Sequence, residues 1–320
     1  MQSISIVIPN YNGEDLLKEN IPPLLKSLQR TNAAWEVIVV DDGSKDGSVR
    51  FLQENHPDVK VMVNEVNRGF AETMNRGIEA AQYDVVFSLN SDVTVEVDAI
   101  PKLLRRFEDP DLFAVSPNII DPRDGRNQAS YRLIQGYCWF IDRCIQRFPE
   151  ELLDKEIPIF FASGGATCYD RKKLLQLGGF PTIYHPFYIE DVDLSYQGWK
   201  AGWKCLLEPR ATVWHKSSST IKNYNWRRKI KFITARNKNI FLWINISDRK
   251  LIFRYFLLIL PSLLLDILLF RKYKLVGTFM ALAKFPDIIR ERRRRRFHWK
   301  VGDRQVIDHV RLTQDQHSLC

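Results

Sequence analysis

Three acidic side chains stand within four positions of the stretch FYIEDVDLSYQGWK, at Glu190, Asp191 and Asp193. Apolar residues after them repeat at helical spacing, which predicts a helix that starts near Asp191 and ends before Gly202. The helix dipole stabilises carboxylates at a helix N-terminus, and this explains one of the three as a cap. A carboxylate held there beside a metal and phosphate site can also remove a proton from a substrate. The pattern therefore indicates a helix start that carries a general base.

Two further polar clusters come directly after apolar runs. Asp41 and Asp42 follow WEVIVV, and Asn90, Ser91 and Asp92 follow DVVFSL. Turns and helix caps account for such residues in many proteins. The functional interpretation is a nucleotide and metal site. In it, a hard carboxylate oxygen of Asp92 binds a divalent cation, and Asn90 helps to hold a ribose or the surroundings of the metal.

Apolar runs that alternate with helical segments predict the elements that position these clusters. Five runs are typical of buried strands: SISIVIPNY, WEVIVVDDGS, VKVMVNE, DVVFSLNSD and LFAVSPNII. Pro22 and Pro23 are expected to break the first helix in two. The pattern predicts an α/β fold with a mostly parallel, doubly wound sheet flanked by helices, and ligands bind such sheets beyond the carboxyl ends of the strands. Neither GxGxxG nor GxxxxGK(S/T) occurs, which disfavours a nicotinamide site or a P-loop.

Charge divides the chain into two parts. The net charge is +9, yet residues 1–215 carry 23 Lys/Arg against 31 Asp/Glu, whereas residues 216–300 carry 22 against four. The basic part indicates an anionic partner, either lipid headgroups or nucleic acid. No nucleic-acid-binding motif accompanies it, so we expect no nucleic acid. The five cysteines form no CxxC pair and the N-terminus lacks a basic n-region, so we expect a reducing cytosol and no secretory signal.

Residues 251–270 form a long apolar stretch. About 20 apolar residues cross a bilayer, but Arg254, Pro261 and Asp266 interrupt this stretch and basic residues flank both of its ends. That pattern favours a helix that lies in or dips into one leaflet. The run RERRRRRF at residues 290–297 suits anionic lipid. The alternative is a soluble helical subdomain with a solvated run of charges.

Seven segments, in order, resemble the family 2 glycosyltransferases, which are inverting enzymes of the GT-A fold. They are SIVIPNYNG, VIVVDDGSKDGS, NRGFAETMNRGI, VVFSLNSDV, ASGGATCYDRKKLLQLGGF, FYIEDVDLSYQGWKAGWK and VWHKSSS. The likeness is greatest to a bacterial branch that includes rhamnosyltransferases of cell-surface polysaccharide assembly. It implies a GT-A catalytic domain at residues 1–220. The charge and apolar patterns after it predict a basic and apolar helical membrane-associating region at 221–300 and a polar tail at 301–320.

The resemblance also implies roles for individual residues. Asp191 would be the general base, and Asp92 with His215 would bind Mg²⁺ or Mn²⁺ at the diphosphate of the donor. A buried structural histidine is the alternative for His215. Acceptor contacts are expected from Glu190, Gly164, Gly165 and Ala166. Nucleotide-sugar contacts are expected from Pro9, Tyr11, Asp41, Asn67, Gly69, Arg76, Asn90 and Ser91.

Two features depart from the pattern of the family. Asn90 stands where the metal motif commonly has an aspartate, which leaves Asp92 as the only carboxylate of that motif. The QxxRW motif of processive members, such as cellulose and hyaluronan synthases, is absent, and NWRR at residues 225–228 does not replace it. We therefore expect one sugar to be added per encounter.

The predicted function is metal-dependent, inverting transfer of a sugar from a nucleotide-diphosphate sugar to a lipid-linked saccharide in bacterial cell-envelope polysaccharide synthesis. The predicted location is the cytoplasmic face of the plasma membrane, with the protein bound peripherally or monotopically to the anionic surface. Two alternatives stay open: a soluble glycosyltransferase that acts on a protein or small molecule, and a catalytically silent scaffold that binds a nucleotide sugar. Residues 120–160 and 164–166 are expected to shape donor choice.

Overall fold

The computed structural model describes residues 3–127, 157–216, 224–268 and 272–316. Within these ranges the strands are β1 Ile4–Asn10, β2 Trp35–Asp41, β3 Lys60–Val63, β4 Val85–Leu89, β5 Val93–Val95, β6 Leu112–Ile120, β7 Ile157–Pro158, β8 Ala166–Asp170 and β9 Lys204–His215. They form one sheet in the order β3-β2-β1-β4-β8-β6-β9-β5, and β7 also pairs with β9. Most of the region 120–160, which we expect to shape donor choice, lies outside the described residues.

The two halves of the sheet differ in strand direction. Strand β1 is parallel to β2 and β4, and β2 is parallel to β3. Strand β8 is antiparallel to β4 and β6, β9 is parallel to β6, and β5 and β7 are antiparallel to β9. The sheet is therefore mixed, and the expectation of a mostly parallel sheet holds only for its first half. Buried runs such as β6 and β8 look alike in sequence whichever way they pair, because both faces of each strand are covered.

The helices cover both faces of the sheet and continue beyond its last strand. They are α1 Glu14–Gln29, α2 Ser48–Asn55, α3 Phe70–Ala80, α4 Ala99–Arg105, α5 Arg171–Leu177, α6 Glu190–Lys200, α7 Tyr224–Asn245, α8 Arg249–Leu268, α9 Lys272–Leu282, α10 Phe285–Arg295 and α11 Asp303–Gln316. The bounds of α6 confirm the helix that the sequence predicts to start near Asp191 and to end before Gly202.

Helix α1 is continuous through Pro22 and Pro23, so the expectation of a break there is wrong. Each proline removes a backbone N–H donor from the helix interior. Leu17, Leu24 and Leu28 lie on one face of α1 and are buried against the sheet. Tertiary packing of an apolar face supplies most of a helix's stability in proteins, and here it outweighs the two lost hydrogen bonds.

An apolar core lies on each face of the sheet. The first includes Leu24 of α1 and Leu103 of α4. The second includes Ile240 of α7, Ile288 of α10 and Val306 of α11. Helices α7, α10 and α11 therefore share a core with the sheet and pack over one of its faces.

Helices α8 and α9 expose several large apolar side chains. Phe253, Leu257 and Leu264 of α8 are 69%, 62% and 62% exposed, and Phe279 of α9 is 63% exposed. We call these four residues and Leu268 the apolar face. Among the residues that the structure describes, no helix has the length and apolar character needed to cross a membrane.

Candidate active site

Asp41 ties the carboxyl ends of β1 and β2 together. Its Oδ2 accepts a hydrogen bond from Asn10 Nδ2 at 3.0 Å, and its Oδ1 accepts one from the backbone N–H of Ser44 at 2.9 Å. Asp41 is buried, Pro9 is partly buried, and the Tyr11 side chain beside them is 53% exposed. The carboxylate is thus fixed by the strand ends, while the Tyr11 ring is open to an incoming ligand.

Asp42 organises the loop between β3 and α3. Its Oδ1 accepts hydrogen bonds from the backbone N–H of Arg68 and from Asn64 Nδ2, both at 2.8 Å, and its Oδ2 accepts one from the N–H of Gly69 at 2.9 Å. Gly69 has φ +82°, which suits glycine. Arg76 Nη1 donates to Asn64 Oδ1 at 2.5 Å. Arg76 therefore supports the end of β3, and Asn67 lies exposed in the same loop.

Gly164 and Gly165 connect the end of β4 with the start of α6. Asn90 N–H donates to the carbonyl of Gly165 at 2.8 Å, and the N–H of Gly164 donates to Asp191 Oδ2 at 3.2 Å. A Cβ atom on Gly165 would lie 2.7 Å from Asn90 Nδ2, so a larger residue here would displace the Asn90 side chain. The following residue, Ala166, is buried in β8. The polar end of β4 and the carboxylate of Asp191 thus lie on either side of one glycine pair.

Asp92 and His215 meet at the edge of this site. Val93, which follows Asp92, pairs with His215 across β5 and β9, and His215 Nε2 lies 3.4 Å from Asp92 Oδ2. Both side chains are partly exposed, at 26% for His215 and 17% for Asp92. Two adjacent ligands of one octahedral cation lie about 3 Å apart, so this oxygen and nitrogen fit a divalent cation. Within the described ranges no group of three or more His, Cys, Asp or Glu residues could hold a metal ion.

Glu190 and Asp191 begin α6 with different surroundings. Asp191 is partly buried, and its Oδ1 accepts a hydrogen bond from the N–H of Val192 at 2.8 Å. Glu190 is only 8% exposed, and its Oε2 has no hydrogen-bond partner among the described residues. Burial, followed by the negative charge of Asp191, raises the pKa of Glu190 to about 8. Glu190 therefore keeps its proton at neutral pH.

Asp193 lies away from the site, in the core. Arg295 Nη1 donates to its two oxygens at 2.7 and 2.6 Å, and Asn245 Nδ2 donates to Oδ1 at 2.6 Å. The N-cap residue of α6 is Ile189, and no side chain caps the helix. The expectation that one of the three carboxylates serves as the cap is therefore wrong. Asp193 instead joins α6 to α7 and α10.

Three buried polar residues near the site escape sequence reasoning: Arg236, Asn237 and Arg295. The first two donate hydrogen bonds to the backbone before α6, and Arg295 pairs with Asp193. The sequence holds one signal for Asn237. It lies four residues after Ile233 and three before Ile240, and so interrupts an apolar helical face with an amide.

The fold places most of the predicted site residues around the carboxyl ends of β1, β2 and β4. The backbone carbonyl of Ser91 accepts a hydrogen bond from Asn20 Nδ2 at 2.9 Å, which holds the metal motif against α1. The Arg76 guanidinium is engaged with the end of β3. The roles of these residues in binding and catalysis stay predictions.

The mixed sheet and the polar residues grouped at its strand ends are typical of the GT-A fold. GalNAc-T7 in complex with UDP, GalNAc and Mn²⁺ superposes with a TM-score of 0.59 at 19% identity, over 78% of this chain and 49% of that chain. The mannosyltransferase PcManGT from Pyrobaculum calidifontis, in complex with GDP-Man and Mn²⁺, superposes with a TM-score of 0.55 at 16% identity, over 88% and 86%. At these identities the likeness shows the fold.

The family follows from the sequence. The model of glycosyl transferase family 2 matches residues 5–178, more than half of the chain. The chain therefore belongs to glycosyl transferase family 2, and the predicted family and GT-A fold are confirmed.

Curated relatives include polymer synthases. A poly-beta-1,6-N-acetyl-D-glucosamine synthase of Staphylococcus epidermidis is 28% identical over 259 residues, which are 78% of this chain and 59% of the relative. The corresponding enzyme of Staphylococcus aureus strain MSSA476 is 26% identical over 238 residues, 72% and 54%. The chain thus spans little more than half the length of these relatives. The likeness to a rhamnosyltransferase branch stays a prediction.

Proposed function

We propose that this chain transfers a sugar from a nucleotide-diphosphate sugar to a lipid-linked saccharide, with inversion at the anomeric carbon and Asp191 as general base. The observation that carries the proposal is the glycine pair 164–165. Through it, the polar end of β4 and the carboxylate of Asp191 lie next to each other. An acceptor between them would meet both the donor and a base.

The donor would lie over the ends of β1, β2 and β4. Tyr11 would stack on the base, while Asp41 and the loop around Gly69 would contact the base and ribose. Asp92 and His215 would hold Mg²⁺ or Mn²⁺. When bound, the cation would neutralise charge on the leaving diphosphate. The Mn²⁺ in the complexes of GalNAc-T7 and PcManGT supports a divalent cation here.

The chemical step needs one carboxylate on the acceptor side. The acceptor hydroxyl loses its proton to Asp191, and its oxygen forms a bond with the anomeric carbon. The bond from that carbon to the diphosphate breaks, and its electron pair leaves with the nucleoside diphosphate. Attack opposite the leaving group inverts the configuration. Glu190, protonated because of its raised pKa, would donate a hydrogen bond to an acceptor oxygen.

The proposal also includes non-processive addition, in which one sugar is added per encounter with the acceptor. The absent QxxRW motif supports it, whereas the relatives are named as polymer synthases. The length distribution of products separates the two possibilities. A single added sugar supports non-processive transfer, and a polymer made from one acceptor contradicts it.

The apolar face would hold the protein on the cytoplasmic leaflet, where a lipid-linked acceptor resides. Exposed basic residues, among them Lys250, Arg254 and Lys272, lie along the same helices. Exposed apolar side chains on helices that also carry exposed basic residues suit the interface of an anionic membrane. Deleting residues 250–300 would also remove Arg295, the buried partner of Asp193. Point substitutions on the apolar face therefore test the location better than a deletion.

A panel of UDP-, dTDP- and GDP-sugars tests the function. Nucleotide release is measured with Mg²⁺ or Mn²⁺ and a lipid extract as acceptor source, for wild type and Asp92→Ala, and donor binding is measured by calorimetry. Metal-dependent turnover of one donor, lost in Asp92→Ala, supports the proposal. Metal-independent turnover removes the metal role, and turnover on a soluble acceptor alone favours the soluble alternative. Donor binding without turnover in any extract favours the scaffold.

A further inference from the structure

The segment that leads into α6 has an unusual backbone. Tyr188 and Ile189 have φ values of +72° and +79°. Residues other than glycine in this region cost about 1–3 kcal/mol each and persist only where the surrounding structure holds them. Ile189 is the N-cap residue, and its carbonyl accepts the hydrogen bond from Asp193 N–H at 2.9 Å. The placement of Glu190 and Asp191 therefore depends on this strained segment, residues 184–189, which we call the base loop.

Asn237 holds the base loop from α7. Its side-chain amide nitrogen lies 3.0, 2.9 and 2.8 Å from the backbone carbonyl oxygens of Tyr184, Phe187 and Tyr188. The Asn237 side chain is fully buried. One side-chain amide thus contacts three backbone carbonyls, and one of them belongs to Tyr188, which has a positive φ.

Arg236 contacts the same loop from the neighbouring position. Its Nη2 donates to the carbonyls of Tyr184 at 3.1 Å and His185 at 2.5 Å, and its Nε donates to Asn237 Oδ1 at 2.8 Å. The guanidinium therefore orients the Asn237 amide as well as the loop. Arg236 is 8% exposed, so water does not compete freely for these carbonyls.

Helix α7 is itself anchored on its other side. Asn239 Nδ2 donates to Thr278 Oγ1 of α9 at 3.1 Å, and Tyr255 of α8 donates to Asn239 Oδ1 at 3.0 Å. Arg292 of α10 donates to the carbonyls of Trp243 and Ile244, each at 2.9 Å. Helix α7 therefore has several contacts besides the base loop, and the two from Arg292 remain when Asn239 is replaced.

We propose that Arg236 and Asn237 are positioning residues for the transfer reaction, which hold the base loop so that Asp191 and Glu190 face the acceptor. This inference rests on the proposed function of Asp191. Both residues act through the loop backbone and touch neither substrate. A catalytic group displaced by about 1 Å loses on the order of 100-fold in rate. Loss of the hydrogen bonds from Arg236 and Asn237 to the base loop should therefore lower kcat while leaving the donor site intact.

Asn237→Leu removes the amide at similar volume, and Asn239→Leu is its matched control on the same helix. We expect kcat to fall by about tenfold to 100-fold in Asn237→Leu, with the donor KM within about threefold of wild type. The control should keep kcat within threefold. Arg236→Lys keeps the charge but lacks the planar guanidinium. Its kcat should lie between those of Asn237→Leu and Asn239→Leu. It also serves as the second variant if Asn237→Leu does not fold.

Amide hydrogen exchange of residues 184–192 separates this inference from the proposed function. Exchange should quicken in Asn237→Leu and Arg236→Lys but not in Asn239→Leu, whether or not a transfer assay succeeds. Unchanged exchange in the loop overturns the inference, as does quickened exchange with an unchanged kcat. An equal loss of kcat in Asn237→Leu and Asn239→Leu overturns it too, because general support of the fold would then explain both.

Discussion

Helices α7 and α10 differ from α8 and α9 in what they do with their side chains, although all four come from one basic and apolar stretch. The first pair turns polar groups inward: Asn237 is fully buried and Arg295 is 2% exposed. The second pair turns large apolar groups outward, with Phe253 at 69% and Phe279 at 63% exposed. A region whose composition indicates a membrane anchor therefore also contacts α6 and the segment before it. We call α7 and α10 the inner pair and α8 and α9 the outer pair.

The largest expected effect lies in the inner pair. Asp193→Ala leaves Arg295 buried without its carboxylate, and breaking a buried ion pair in this way costs about 3–5 kcal/mol of unfolding free energy. Urea unfolding measures this loss. Replacing both residues by leucine should recover much of the stability, because no charge is then left unpaired. A loss below about 1 kcal/mol in Asp193→Ala would show that α10 does not fasten α6.

The next largest expected effect concerns Glu190, in the helix α6 that the inner pair contacts. Its Oε2 has no hydrogen-bond partner in the part of the chain that the structure describes. Its pKa of about 8 in the folded protein lies above the usual value of 4.5. The contribution of protonated Glu190 to the unfolding free energy is therefore complete below pH 4.5, and it is lost as the pH rises through 8. A tenfold change in a protonation constant corresponds to about 1.4 kcal/mol of free energy. Wild type should therefore lose a few kcal/mol of unfolding free energy across this window relative to Glu190→Gln.

Unfolding free energies measured between pH 4.5 and 9 check this slope. In Asp191→Asn the slope should shrink, because the charge of Asp191 is the second cause of the raised pKa. Identical slopes in wild type and Glu190→Gln would contradict the buried, protonated state of Glu190.

Substitutions of exposed apolar residues in the outer pair should weaken membrane binding and leave the stability of the fold unchanged. Serine at Phe253, Leu257 and Phe279 removes three exposed apolar side chains, each worth up to about 1.5–3 kcal/mol when buried. Co-sedimentation with phosphatidylglycerol-containing vesicles should fall at least about tenfold, with Tm within about 2 °C of wild type. The control is serine at Leu175, which is 39% exposed on the body. Vesicle binding that survives the triple substitution would remove the apolar face as the anchor.

The sequence predicts the first half of the fold and the places where the polar strand ends lie, since local signals determine both. Buried strands β1, β2 and β4 end in polar residues, and parallel strands bring those ends together. Asp92 and His215 also meet, which their family positions imply. These assignments need only strand order and motif matching.

Long-range packing determines what the sequence does not predict. Asp193 reads as a helix-terminal charge, yet its partner Arg295 lies 102 residues further along the chain. The run at residues 290–297 reads as one basic surface, but Arg292 and Arg295 turn inward while Arg293 and Arg296 stay exposed. Composition gives the number of charges, and only the packing of α10 against α6 and α7 gives their direction.

The most direct test of the central claim is the split between donor binding and transfer in Asp191→Asn. Asparagine keeps the size of the side chain but cannot take a proton from the acceptor, and a general base contributes about 10²–10⁴-fold to rate. The account predicts that transfer falls at least 100-fold while the donor Kd, measured with Mn²⁺, stays within about threefold of wild type. Transfer within threefold of wild type at equal donor binding would contradict it.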